Sequence, residues 1–258
     1  MIRYLISFIT RFIPRHLLQS VASFGLKSIA FFYSGKNFED PITGKTYRKL
    51  LPYGRTQLRN NALAPHSMSL ERHRLLWLFL RERTSFFTEK LKVLHIAPEY
   101  CFLKPFGELK NLDYITADLN SPWAKVKLDV QNIPFADNLF DAIICNHVLE
   151  HVNDDKLALQ ELFRVMKPNG FGIFQVPLEN SLENTFEDSS ISTPALREKH
   201  FGQRDHLRLY GRDYAERLKS AGFDVTEDTF VKEISPELVK RYALPPSEII
   251  YFCRKPLQ

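Results

Sequence analysis

The sequence predicts an α/β domain built on a largely parallel β-sheet, preceded by a helical and irregular N-terminal extension. Three observations predict it. From Leu91 onward, short apolar runs alternate with amphipathic helical stretches, the pattern of strands covered on both faces by the helices that connect them. Polar residues fall where successive runs end: Asp118, Asp129, and the pair Asn146 and His147. Sheets of this kind bind ligands at the carboxyl ends of their strands. Finally, 258 residues with 44% apolar and 25% charged side chains can bury a full core, which excludes a disordered chain, a collagen and a coiled-coil rod.

Residues 1–34 form the extension. In residues 2–13 the polar groups Arg3, Ser7, Thr10 and Arg11 share one helical face, and Pro14 ends the run. A second stretch, 16–32, repeats the stripe with His16, Gln19, Ser20, Ser23 and Lys27. Basic residues interrupt both, so neither reaches the roughly 18–20 apolar residues that span a bilayer. Arg11 also argues against a signal peptide, while the absence of acids before Glu39 leaves a mitochondrial presequence open for a eukaryotic source. Two readings stay open for residues 1–32: helices lying in a membrane interface, or a cap packed on the main domain. Residues 1–60 hold ten Lys/Arg against two acids, a surplus larger than the net +5 of the whole chain, so residues 61–258 are net acidic. The basic quarter suits an anionic membrane surface or a solvated face. The acidic remainder makes nucleic acid an unfavoured partner.

Residues 35–90 read as a connector. Turns are expected at 40–45 and 63–68. Ser69 is placed to cap a helix whose apolar face is Leu75, Leu76, Leu78 and Phe79. Residues 91–258 form the main domain. Strands are expected at 91–96, 112–117, 126–128, 140–145 and 172–176, with a helix over 154–166 stopped by Lys167-Pro168-Asn169-Gly170. A helix over 210–218 ends at Ala221-Gly222, and runs beginning at Phe223 and Glu248 form an antiparallel edge hairpin. Three dispersed cysteines (Cys101, Cys145, Cys253) offer no disulfide framework, so the reducing cytoplasm is the expected compartment.

Three segments together resemble the class I S-adenosylmethionine-dependent methyltransferases of the type 11 group. They are Asn132-Ile133-Pro134-Phe135-Ala136-Asp137-Asn138-Leu139-Phe140-Asp141, Val148-Leu149-Glu150-His151-Val152, and the run from Glu161 to Gly170. The likeness covers about residues 91–178, with the Ala221-Gly222-Phe223 turn and the last hairpin matching the family's edge. It implies a Rossmann-like seven-stranded sheet with an antiparallel last strand, and S-adenosyl-L-methionine as cofactor. It further implies that Asp118 accepts hydrogen bonds from the ribose hydroxyls, that Leu119 packs on the adenine, and that Asp129 and the Val130 backbone read the adenine edge. Asn146 and His147 then face the methionyl part and the sulfonium. A helix-cap or turn role for the two aspartates is the competing reading.

The chain departs from the family at the first loop, which normally carries three glycines. Here it reads His95-Ile96-Ala97-Pro98-Glu99-Tyr100-Cys101-Phe102, and no glycine occurs between Gly54 and Gly107. Ala97 stands for the first glycine, and Glu99 falls near the second, where it can pair with the cofactor's ammonium group. The group's zinc-knuckle cysteines are also missing: Asp40, Thr43, Ala64 and Ser67 occupy those places, and no metal ligand set is expected. His147-Val148-Leu149-Glu150-His151 spells an inverted zinc-protease pattern, but a protease needs it inside a long helix, and here it follows a strand directly.

Methyl transfer depends mainly on alignment of the acceptor with the S–CH₃ bond, with a base only for hydroxyls or protonated amines. His206, beside Asp205, is the expected base, with Tyr210 or His200 behind it and Arg208 as an anchor for an anionic substrate. Residues 179–199 read as a cover over the substrate. The expected activity is direct methyl transfer to a small molecule, glycan or lipid-linked acceptor. A methyltransferase fold that binds the cofactor weakly or not at all is the alternative.

Overall fold

The computed structural model describes residues 25–54 and 58–257. The predicted amphipathic helices over residues 1–24 lie outside the described residues. The chain divides into two compact units. Among the described residues, one comprises 25–54, 58–87, 99–108 and 229–248, the other 88–98, 109–228 and 249–257. The helix Tyr100–Gly107 and the 229–248 segment therefore leave the second unit and return to it.

The first unit contains two antiparallel ribbons. β1 (Ser34–Asp40) pairs with β2 (Lys45–Tyr47), and β3 (Leu51–Tyr53) pairs with β4 (Arg59–Leu63). The helix Glu71–Arg83 follows, burying Leu75, Leu76, Leu78 and Phe79 as its periodicity predicts. Its cap is not Ser69: the Leu70 amide donates to His73 Nδ1 at 3.0 Å. Ser69 Oγ is committed elsewhere, donating to Asp40 Oδ1 at 3.2 Å. Asp40 is fully buried, and its Oδ2 also accepts from Thr43 Oγ1 at 2.8 Å. Hydrogen bonds thus tie together the turns at which the sequence resemblance implies metal-binding cysteines. Arg74, completely buried in the same unit, donates to the carbonyls of Ala62, Ser69, Tyr242 and Ala243.

The second unit is a seven-stranded sheet. Its strands are β5 (Leu91–Ile96), β6 (Leu112–Asp118), β7 (Val126–Lys127), β8 (Phe140–Cys145), β9 (Met166–Ile173), β12 (Asp224–Asp228) and β13 (Ile250–Arg254). Two short strands, β10 (Phe186–Glu187) and β11 (Arg208–Leu209), pair apart from it. The sheet order is β12-β13-β9-β8-β5-β6-β7. β7, β6, β5, β8 and β9 run parallel, while β13 is antiparallel to both neighbours. This is the Rossmann-like, seven-stranded α/β sheet with an antiparallel last strand that the sequence implies. Leu94, Ile96, Ile143 and Cys145 join Leu159, Leu162, Tyr214 and Leu218 in one core.

Three local expectations are corrected. The helix expected over 154–166 runs Asp155–Val165, because the Asp154 side chain caps it by accepting from the Leu157 amide at 2.9 Å and Met166 already begins β9. Residues 167–170 do not precede the fifth strand; they are a bulge inside it. Phe140 pairs with Met166 and Ala142 with Phe171, so the ladder skips around Pro168 and the left-handed Asn169. The predicted helix over 210–218 starts only at Tyr214, because Arg208–Leu209 pairs with Phe186–Glu187 and Tyr210 bridges to Leu178. That helix ends at Gly222, where φ of +105° suits a residue without Cβ.

Candidate functional site

Strand register aligns the candidate cofactor residues. Ile96 pairs with Ala117 on one side and Cys145 on the other. The next residue on each strand is therefore Ala97, Asp118 or Asn146, side by side at the carboxyl edge of β5, β6 and β8. Asp118 also pairs with Lys127, which places Asp129 just past the end of β7 at the same edge.

Each residue has a distinct local role. Ala97 has φ of +49°, the left-handed backbone that glycine adopts without strain. The alanine thus adopts a backbone shape that favours glycine, and its amide donates to the Ala117 carbonyl at 2.8 Å. Asp118 Oδ1 accepts from the Asn120 and Ser121 amides. Among the described residues Oδ2 has no hydrogen-bond partner, so one carboxylate oxygen stiffens the turn and the other is left to accept. Leu119 beside it is half exposed. Asp129 binds Gln131 through both oxygens, and Val130 is buried in the core.

Gln175 sets the far side of the edge. Its side chain imitates a strand: Oε1 accepts from the Tyr251 amide and Nε2 donates to the Ile249 carbonyl, both at 2.8 Å. The main chain of Gln175 is turned toward β8 instead. Its carbonyl accepts from the His147 amide at 2.7 Å, and its amide donates to Asn146 Oδ1 at 3.3 Å. His147 has φ of +54°. Left-handed non-glycine residues cost energy and gather at functional sites; here two of them, Ala97 and His147, close adjacent strands. Glu99 belongs to the other compact unit, where it precedes the helix Tyr100–Gly107.

Beyond His147 the chain makes a short 3₁₀ turn, Leu149–His151, and not the long helix a protease would need. The 205–208 segment is fastened to this turn. Leu207 donates to the Glu150 carbonyl at 2.8 Å. Arg208, almost fully buried, donates to the carbonyls of Leu149, Val152 and Asn153 and to Glu187. Its donors are thereby committed, so Arg208 clamps two loops together and does not present an anion anchor. Tyr210 is likewise fully buried and donates to Asp155 Oδ2 at 2.8 Å. Burial, with the Asp155 charge second, pushes the Tyr210 phenol far up, which removes it as a base. His200 is exposed near the end of the helix Pro194–Phe201.

This fastening brings together residues far apart in sequence. Glu150, His151 and His206 each offer an atom within 4.8 Å of the others. His147 Nδ1 lies 3.4 Å from Glu150 Oε1. Burial, the largest influence, lowers the His206 pKa, with the Glu150 charge opposing it. His206 is therefore neutral near pH 7, and its Nδ1 has no hydrogen-bond partner among the described residues. The Val148–Val152 motif marked Glu150 and His151 in the sequence, but nothing in the spacing announced that His206 joins them.

Comparison with known proteins agrees with this geometry. Residues 108–174 match the family model described as a methyltransferase domain. An uncharacterized protein of Methanocaldococcus jannaschii is 40% identical over 79 residues, covering 30% of this chain and 35% of that protein. The ubiquinone/menaquinone biosynthesis C-methyltransferase UbiE of Vibrio campbellii is 28% identical over 123 residues, covering 46% of each. The chain thus spans less than half the length of either relative. The crystal structure of the [4+2]-cyclase SpnF is 14% identical, with a TM-score of 0.53 over 85% of this chain and 92% of that one; at that identity the likeness defines the fold. The sheet is that of a class I methyltransferase. Residues 108–174 are thus similar to the methyltransferase-domain family, in agreement with the sequence motifs.

Proposed function

We propose that the chain is a methyltransferase that takes its methyl group from S-adenosyl-L-methionine and delivers it to a small-molecule, glycan or lipid-linked acceptor. The observation that carries this reading is the register that sets Ala97, Asp118 and Asn146 side by side at the carboxyl edge of the sheet. The residues fit the cofactor: an open carboxylate oxygen on Asp118 suits a ribose diol, and the left-handed Ala97 keeps the backbone route of a glycine loop. Leu119 would cover the adenine, with Asp129 and the Val130 backbone at its edge. Asn146 and His147 would face the methionyl end. The cofactor supplies an activated methyl on a good leaving group. The protein's task is to align the acceptor and, for a hydroxyl or amine, to take its proton at the neutral His206.

The Vibrio relative acts in quinone biosynthesis by its name, which favours a lipid-linked aromatic acceptor within this class. Among the described residues no helix is long and apolar enough to cross a membrane. Ile29, Phe31 and Phe32 are exposed beside the basic N-terminal segment, which supports peripheral membrane contact through residues 1–32 of a cytoplasmic protein. Liposome flotation with and without residues 1–34 tests that contact, and equal binding removes it. Isothermal titration with S-adenosylhomocysteine tests the cofactor site. Binding supports the proposal, whereas neither heat nor a thermal shift at millimolar ligand defeats it. Binding without turnover on any acceptor would favour the non-catalytic reading, which the missing loop glycines motivate.

A further inference from the structure

We propose that Glu150, His151 and His206 form a binding site for a single divalent first-row transition cation of the zinc class. Their candidate ligand atoms lie within 4.8 Å of one another, and one carboxylate with two imidazoles is a donor set that zinc and iron(II) share. Tetrahedral ligands about 2.0–2.1 Å from zinc stand roughly 3.4 Å apart. The longest separation in the cluster must therefore shorten by about 1.4 Å, and the exposed His151 can supply the movement.

Two buried atoms point to a ligand. Glu150 is 1% exposed and His206 3% exposed, yet Glu150 Oε2 and His206 Nδ1 have no hydrogen-bond partner among the described residues. A buried polar atom left unpartnered costs about 1–3 kcal/mol, and a cation satisfies both at once. The surrounding contacts already orient the donors. On the His206 ring, Nδ1 is the buried nitrogen that has no hydrogen-bond partner among the described residues. His151 Nδ1 lies 3.1 Å from the Asp205 carbonyl and 3.7 Å from Asp205 Oδ2, which leaves Nε2 for a metal. Metal-bound histidines show this same arrangement, the second nitrogen held by a carbonyl or carboxylate. His147 Nδ1 lies 3.4 Å from Oε1, the other carboxylate oxygen of Glu150. Three protein ligands leave a fourth position open, as in catalytic zinc sites.

The site differs from the inverted protease pattern. That pattern would use His147 and His151 from one helix; here the turn is 3₁₀ and the third ligand comes from the 205–208 segment. Metal and proton compete for the same His206 lone pair, so a bound cation removes His206 as a base and makes it a ligand. The inference concerns the cluster alone and does not depend on cofactor binding.

The test uses the full chain, stripped with a chelator and dialysed metal-free. Zn²⁺ is titrated calorimetrically, and Co²⁺ is followed by its visible d–d absorption. The expected result is one equivalent bound, with cobalt bands of a nitrogen- and oxygen-ligated tetrahedral or five-coordinate ion. His151→Ala, at an exposed position where folding is insensitive, should weaken binding by about a hundredfold or more, since even supporting-contact losses cost roughly 10–100-fold. Glu150→Gln should do the same with less change in shape. The proposal is overturned by absence of binding below millimolar metal, by affinity unchanged in His151→Ala, or by an intense thiolate-to-cobalt band that would place the ion on a cysteine.

Discussion

Ser69 Oγ donates to Asp40 Oδ1 at 3.2 Å, and this one bond joins two turns separated by 29 residues. Here Asp40 also accepts from the Ile42 amide and the Thr43 hydroxyl, and it lies buried in the same unit as the buried Arg74 charge. Replacing it leaves several donors and one guanidinium without compensation. Asp40→Ala should lower stability by about 3 kcal/mol, whereas Thr43→Ala, which removes one partly buried bond, should cost about 1 kcal/mol. Urea denaturation monitored by fluorescence separates the two; equal and small effects would show that the turns are held by packing alone.

Asp155 anchors the helix Asp155–Val165 to the helix Tyr214–Ser220. Arg217 grips both of its oxygens, at 2.8 and 3.1 Å, and Tyr210 adds a third bond. Burial alone would raise this carboxyl, but the Arg217 hydrogen bonds, the Arg208 charge and the Tyr210 hydroxyl together hold it below its ordinary 3.8. A carboxyl lowered in the folded state stabilises the fold above its unfolded pKa, and that stability is lost as pH falls through the folded value. Unfolding free energy should therefore decline below about pH 4 in the wild type. Asp155→Asn should be less stable at pH 7 by about 3 kcal/mol and should show a flatter acid limb. A pH series of urea melts from 3 to 7 decides, and parallel curves would remove Asp155 from the acid response.

Much of the sheet was legible because strands buried on both faces announce themselves: the expected strand at 91–96 and that at 140–145 coincide with β5 and β8. Asp118 and Asn146 were legible for the same reason, as the first polar residues past an apolar run. What escaped notice depends on distant pairing. Nothing local says that Arg208 will spend its donors on carbonyls 55 to 59 residues away, or that Tyr210 will turn inward to Asp155. The bulge at 167–170 was hidden because Pro-Asn-Gly reads as a turn, and only pairing with β8 keeps it within a strand. The meeting of Glu150 with His206 follows from the Arg208 clamp, and so it too lay beyond sequence pattern.

On the proposed function, Asp118 would carry the largest testable share of cofactor binding. Its Oδ1 holds the following turn, while Oδ2 remains open. Asp118→Asn retains an acceptor for the turn but loses the charge, so the fold should survive. A hydrogen bond to a charged group contributes about 1.5–3 kcal/mol, which corresponds to a fall in S-adenosylhomocysteine affinity of roughly 10–100-fold. Calorimetric titration of the variant reads this directly. An affinity within twofold of wild type would return Asp118 to a purely structural turn.

Ala97 offers the sharpest test of the altered loop. Its φ of +49° costs an L-residue about 1–2 kcal/mol. Glycine would relieve that strain but would add unfolded-state freedom worth about 0.4–1 kcal/mol. Ala97→Gly should therefore be neutral or stabilising by up to about 1 kcal/mol, and it should bind S-adenosylhomocysteine at least as tightly as the wild type, since the backbone route is unchanged and a methyl is gone. Ala97→Val meets the opposite fate: a β-branched side chain is a poor fit to left-handed backbone, so it should lose about 2 kcal/mol of stability along with most cofactor affinity. Thermal melts and titrations on both variants are decisive together. If valine is tolerated in both measurements, the left-handed turn is not what shapes this loop, and the loop owes its form to its neighbours instead.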